Sequence, residues 1–262
     1  MYEELLEDIA QKNCLREVNS YLKLAVGLGA ILLCLLSGSY VAPLFIAVVL
    51  TVAILGLARI HPRVYGELFF VPLWFAAMSV CVIVLLSGGT EVYWSFQPAS
   101  WLSLSVTRES LNQGLFVFCR VIGGMSGMIF IALTTPMTDL FLVMRQIRVP
   151  EVVVDLAMMI YRTIFMILEQ LVQTYRAQRM RLGYTSFRES VRSLATLCGS
   201  VFIASWNAGE DLIRAMDARC YSGKFAGLGK SQPARLPSAL AVAGFLGLST
   251  VLVVVTQNIT AI

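Results

Sequence analysis

The chemistry of this chain is carried by arginine. Arg176-Ala177-Gln178-Arg179-Met180-Arg181 matches Arg214-Ala215-Met216-Asp217-Ala218-Arg219 at an offset of 38 residues, with Arg, Ala and Arg coinciding at three of six positions. A tyrosine follows each copy, at Tyr184 and Tyr221. A guanidinium is a rigid fork of five donors, suited to a partner's cleft lined with carboxylates and carbonyls. Arginine near a helix end also simply complements the helix dipole, worth ~0.3–1 kcal/mol. That alternative accounts for any one arginine but not for the same wording at two places.

Other chemistries have little to build from. His61 is the single histidine, and the six cysteines (Cys14, Cys34, Cys81, Cys119, Cys198 and Cys220) are scattered without a CxxC pair. Neither a zinc site nor a disulfide framework is expected. There is no GxxxxGK[ST] phosphate loop, no HExxH and no carboxylate cluster.

These arginines must be positioned by a very apolar chain. Its 262 residues are 58% hydrophobic and 14% charged, against roughly 45–50% and 25% in soluble domains. The bilayer is the natural solvent for such a composition. Of 20 Lys and Arg, 13 fall between Arg145 and Arg235. Beside apolar spans, such a basic stretch reads as a cytoplasmic segment rather than a nucleic-acid surface. The segment Met1–Asn19 mixes acids with Lys12 and Arg16, which suits a cytoplasmic amphipathic helix and not a signal peptide.

A span needs about 20 mostly apolar residues. Tyr21–Leu36 and Val41–Leu57 form an antiparallel hairpin across Ser37-Gly38-Ser39-Tyr40, and Arg59-Ile60-His61-Pro62-Arg63 makes a basic loop. Leu68–Leu86 and Leu115–Thr135 are the third and fourth spans, the latter holding Gly123-x-x-x-Gly127, which lets helices approach closely. Between them, Thr90–Glu109 carries Tyr93, Trp94, Phe96 and Trp101, residues typical of a membrane interface, and is placed outside. Leu236–Thr256 is the last span, after a linker with Gly227, Gly229 and Pro233.

Two further apolar stretches are rejected as spans. Val152–Leu168 carries Asp155 and Arg162, each costing ~2.5–3.5 kcal/mol at a bilayer centre. Leu194–Trp206 is too short, and spanning twice here would put the arginines outside. Instead, helices are expected over Met137–Ile147, over Glu151–Leu182 with Gly183 as C-cap, and from Ser186 to about Cys220 with Glu189 completing a capping box. The expected fold is therefore an all-α membrane protein of about five transmembrane helices. Residues 1–135 hold the N-terminal segment and four spans, 136–235 a helical cytoplasmic segment, and 236–262 the last span. The N-terminus lies inside.

Two arginine-tipped helices after four spans resemble the T subunit of energy-coupling factor importers, a branch of ABC transporters with Ala-Arg-Gly-like motifs at two coupling-helix ends. Here the motifs stand as Met180-Arg181-Leu182 and Ala218-Arg219-Cys220, and with Met158-Met159-Ile160-Tyr161-Arg162 their wording is most similar to the cobalt-importer, CbiQ-type subgroup. Neither keeps Gly after Arg, and in the first copy Arg179 competes with Arg181 as the leading arginine; the 38-residue offset, which aligns Arg181 with Arg219, favours Arg181.

The resemblance implies a non-catalytic multi-pass subunit of a bacterial or archaeal cytoplasmic membrane, binding no cofactor or metal itself and contacting no nucleic acid. Two ABC ATPase subunits, which use the ATP, would dock on Met180, Arg181, Leu182, Ala218, Arg219 and Cys220, with Arg176, Arg179 and Arg214 as secondary candidates. A substrate-binding membrane (S) subunit, and a small accessory membrane subunit, would complete the importer. Cobalt, destined for cobalamin biosynthesis, is favoured by motif wording; nickel, a vitamin, or a stand-alone transporter are the alternatives. Met144, Met158, Met159 and Met166 are either core filling or an adaptable surface for the S subunit. Asp155 and Arg162 form either a polar patch or separate contacts, and Arg120 is expected to snorkel toward an interface.

Overall fold

The computed structural model describes residues 10, 13, 15, 18–86, 92–99, 102–221 and 236–256, with the backbone alone at 86, 92–99 and 102–106. Most of the Met1–Asn19 helix, the 222–235 linker, the 257–262 tail and the aromatic side chains of the Thr90–Glu109 loop lie outside this description. The helices are α1 (Ser20–Leu36), α2 (Val41–Val52), α3 (Pro62–Leu86), α4 (Arg108–Thr134), α5 (Met137–Gln146), α6 (Glu151–Met180), α7 (Phe187–Ala218) and α8 (Leu236–Val255). One antiparallel hairpin, β1 (Val92–Ala99) with β2 (Leu102–Thr107), interrupts them, an addition to the all-α expectation. By length and composition α3, α4 and α8 can cross a membrane, while α1 and Val41–Leu57 are shorter apolar helices. The chain divides into two compact units, residues 1–140 with 231–262, and 141–230.

In the first unit α4 is the central helix, packed on α1, α2 and α3, with α8 against α1 and α2. Its glycines explain the arrangement. A Cβ on Gly123 would stand 2.7 Å from Cys34 Sγ and 2.8 Å from the Pro43 carbonyl oxygen, so this glycine admits α1 and α2 together. Gly127 lies against Ile31 and the Gly27 carbonyl of α1. Around these contacts Val26, Ala30, Ile46, Leu50, Ile54, Phe130 and Leu133 form the core.

Helix ends refine the sequence boundaries. Asn19 caps α1 by accepting from the Tyr21 N–H at 2.9 Å. Between α1 and α2 the Ser37 hydroxyl donates to the Ser39 carbonyl at 2.8 Å, closing the expected tight hairpin. After α2 the chain widens into a π turn over Ala53–Leu57. The Tyr65 and Thr51 hydroxyls meet at 2.8 Å and tie the start of α3 back to α2. His61 sits just before α3, where its Nδ1 accepts from the Arg63 N–H at 3.3 Å; the lone histidine is a capping group. The helix expected from Leu115 starts at Arg108, because Thr107 and Ser110 form a reciprocal capping box at 3.2 and 3.0 Å that sequence inspection passed over. Arg120 reaches the turn between α1 and α2: its Nη2 donates to the Ser37 carbonyl at 2.6 Å, and its guanidinium lies 4.4 Å from the Phe116 ring centroid.

Candidate functional site: two arginine helix ends

In the second unit three helices end in the same way. After an α-helix the last carbonyls lack intrahelical donors. A residue in the left-handed region then turns the chain so that two following N–H groups reach back, the Schellman arrangement. At the end of α6, Arg181 is the C-cap and Leu182 takes φ +59°. The Leu182 N–H donates to the Arg179 carbonyl at 3.1 Å and the Gly183 N–H to Gln178 at 3.0 Å. At the end of α7, Arg219 is the C-cap and Cys220 takes φ +54°. The Cys220 N–H reaches Asp217 at 3.0 Å and the Tyr221 N–H reaches Met216 at 3.1 Å. The arginines themselves match, with φ/ψ of −90°/16° and −97°/12°.

This places Arg181, and not Arg179, in the position equivalent to Arg219. The departure from an Ala-Arg-Gly wording falls on this turn. The residue after each arginine is the left-handed one, where glycine has no steric penalty, and Leu182 and Cys220 occupy it here. The expected Gly183 cap is one place further on. The end of α5 repeats the geometry with Arg148 at φ +66°, bonded through its N–H to Arg145 and followed by Val149 on Met144. Sequence reading placed this helix end at Ile147 but not its left-handed turn, which no glycine marks.

Both tips are presented to solvent. Met180, Arg181, Leu182, Ala218, Arg219 and Cys220 are all exposed, Met180 at 85% and Leu182 at 70%. Arg176 and Arg179 are exposed as well. Among the described residues no carboxylate or carbonyl engages the guanidinium of Arg181 or Arg219. Arg214 differs, since Glu210 at 3.1 Å and Asp211 at 3.6 Å already neutralise it within α7.

The corner joining α6 to α7 is braced. Tyr184 donates its hydroxyl to Gln178 Oε1 at 2.8 Å and packs its ring on Tyr175, and Ser193 donates to the Gly183 carbonyl at 2.7 Å. Gly183 is required there, because a Cβ would lie 2.7 Å from Ser193 Oγ. Ser186 caps α7 by accepting from the Glu189 N–H at 3.4 Å. The reciprocal half of the expected box is replaced: the Glu189 carboxylate accepts from the Thr185 hydroxyl.

Away from the tips these helices keep apolar faces uncovered. Leu156, Ile160 and Ile164 on α6, and Phe202, Trp206 and Ile213 on α7, are exposed. Of the candidate methionines, Met166 is exposed and Met144, Met158 and Met159 are half-buried. Asp155 is buried and Arg162 exposed. Among the described residues no three His, Cys, Asp or Glu side chains gather as metal ligands.

Comparison with known proteins supplies the context for this pair of ends. The family model for the cobalt transport protein CbiQ matches residues 11–229. A putative fused cobalt transport protein CbiMQ of Methanocorpusculum labreanum is 38% identical over 84% of the chain, which spans only 37% of that relative. The CbiQ cobalt transport protein of Rhodobacter capsulatus is 27% identical over 83% of this chain and 84% of its own. The energy-coupling factor transporter transmembrane protein EcfT of Limosilactobacillus fermentum is 28% identical over 64% and 66% of the two chains. The chain belongs to the CbiQ cobalt transport protein family.

Proposed function

We propose that this protein is the coupling subunit of an ATP-driven cobalt importer, and that its two arginine helix ends are the seats of two ATPase subunits. The observation that carries the reading is the matched geometry of Arg181 and Arg219, two exposed C-cap arginines whose guanidinium groups have no carboxylate partner among the described residues, at equivalent points of two long helices. Two equal plugs suit two equal sockets. Arg176, Arg179 and the flanking Met180, Leu182, Ala218 and Cys220 complete the docking surfaces.

Five spans (α1, Val41–Leu57, α3, α4 and α8) with the N-terminus in the cytoplasm place residues 136–235, and most of the basic charge, on the ATPase side. ATP-driven closure moves the tips, and α6 and α7 act as levers on a separate S subunit. The exposed apolar faces of these helices suit that contact. The fused relative supports such a neighbour, since most of its length lies beyond the region matched here. The subunit itself is non-catalytic, and cargo recognition lies in the S subunit.

The test is cobalt(II) uptake by proteoliposomes holding the full complex. R181E/R219E should insert normally yet lose ATPase retention and uptake, each by about tenfold or more. Retention of both ATPases with unchanged uptake by the double variant refutes the docking assignment. The EcfT relatives favour one second reading, a T subunit shared by other cargoes, which ATP-dependent uptake of a vitamin or nickel in place of cobalt would establish.

A further inference from the structure

α1 and α4 run antiparallel in one register along their whole contact. Lys23 meets Thr134, Gly27 and Ala30 meet Gly127, Cys34 meets Gly123, and Ser37 meets Arg120. Each end is closed by a cation of one helix bonded to a terminal carbonyl of the other. Lys23, 3% exposed, donates from Nζ to the Thr134 carbonyl at 3.1 Å, and Arg120 donates to the Ser37 carbonyl at 2.6 Å. Terminal carbonyls lack helical donors and carry the negative end of the dipole, so a buried cation there is held by charge as well as by hydrogen bonding.

The Lys23 end has further members. Asn13 Nδ2 donates to the neighbouring Leu133 carbonyl at 2.9 Å. Ser20, one turn before Lys23 on the same face of α1, donates to Asp139 Oδ2 at 2.7 Å. Asp139 lies in the first turn of α5, beyond Pro136. One face of α1 therefore holds both the end of α4 and the beginning of the helix that leads out of this unit.

We propose that Lys23, Ser20 and Asp139 are positioning residues that make α1, α4 and the first turn of α5 a single rigid joint. Displacement of the chain after Asp139 then reaches the membrane helices instead of being absorbed by fraying of the last turn of α4. Close-packed helices with no space for sliding transmit such displacement, and the Gly123 and Gly127 contacts leave none. This rests on the coupling-subunit reading above.

The test uses the complete complex in proteoliposomes, with cobalt(II) as probe, and reads uptake per ATP hydrolysed. K23M should keep ATP hydrolysis within about twofold while uptake per ATP falls about tenfold, and K23R should restore most of it. An unchanged ratio in K23M overturns the joint. Independently of that variant's folding, S20C/D139C in a chain without its native cysteines should lose uptake per ATP when reduced, since it lacks the Ser20–Asp139 bond, and regain it when bridged by a disulfide or a short thiol cross-linker; equal uptake per ATP in the reduced form and the cysteine-free parent overturns the role of this pair. Loss of uptake on bridging means that the joint must open, and overturns the proposal. Spin labels at L28C and M137C, both exposed positions, should keep a constant separation between nucleotide-free and ATP-bound complexes; a change of more than about 5 Å, one helical turn, overturns it. Absence of cobalt uptake by the unaltered complex refutes the cargo assignment instead, and the spin-label distance still decides the joint.

Discussion

Leu182 and Cys220 each occupy a backbone conformation that costs an L-residue ~1–2 kcal/mol, because Cβ crowds the carbonyl oxygen. L182G and C220G remove that cost. Glycine returns part of it through the freedom of the unfolded chain, about 0.4–1 kcal/mol. Both side chains are exposed, so their removal forfeits little packing. The net expectation is a gain of roughly 0.5–1 kcal/mol at each end. With the two ends acting independently, the double variant should gain roughly 1–2 kcal/mol, raising the melting temperature in detergent by about 3–6 °C. A local readout is sharper. The Gly183 and Tyr221 amides donate the outer bond of each turn only while the preceding residue is left-handed. Hydrogen exchange at these two amides should slow in the glycine variants. It should quicken in L182V and C220V, because a β-branched residue is poorly tolerated there. If the glycine variants lose about 1 kcal/mol, as glycine in a helix interior would, with no slowing of exchange, the turns are not formed as described.

Two other substitutions probe the membrane unit. G123A sets a methyl against the Pro43 backbone at 2.8 Å and should cost about 1–3 kcal/mol in thermal unfolding. G124A, next to it and facing open space, should be neutral or slightly stabilising. R120M leaves the Ser37 carbonyl without its donor, a loss of about 1–3 kcal/mol. Cys34, buried beneath that turn, should then react with a thiol reagent roughly ten to a hundred times faster. Unchanged labelling would mean that the Arg120 bond does not hold the turn.

Much of the organisation was readable before folding was considered. Apolar runs marked α1, α2, α3, α4 and α8, of which α3, α4 and α8 have the length that crossing a membrane needs, while α1 and Val41–Leu57 are shorter. Charge within Val152–Leu168, and the arginines that follow, kept α6 and α7 out of that class, and neither is among the membrane-span candidates. The start of α4 was misplaced by seven residues because the Thr107–Ser110 box depends on serine facing backward, which a search for Glu or Gln overlooks. The β1–β2 hairpin escaped because aromatic residues at an interface and in a strand have the same signature.

By itself the sequence determined that the chain is helical and bilayer-solvated, that its basic charge is gathered in one segment, and that one arginine pattern occurs twice, because these are matters of composition and order along the chain. The tertiary structure decided what the polar residues hold. Only in three dimensions do Lys23 and Thr134 meet, or Arg120 and Ser37, since a helix pairing across more than 80 residues is set by which glycines allow backbones to touch. The 38-residue offset aligned Arg181 with Arg219, but only backbone geometry makes both of them C-caps, because that position is defined by the left-handed residue after it, and any residue type that accepts the strain can stand there.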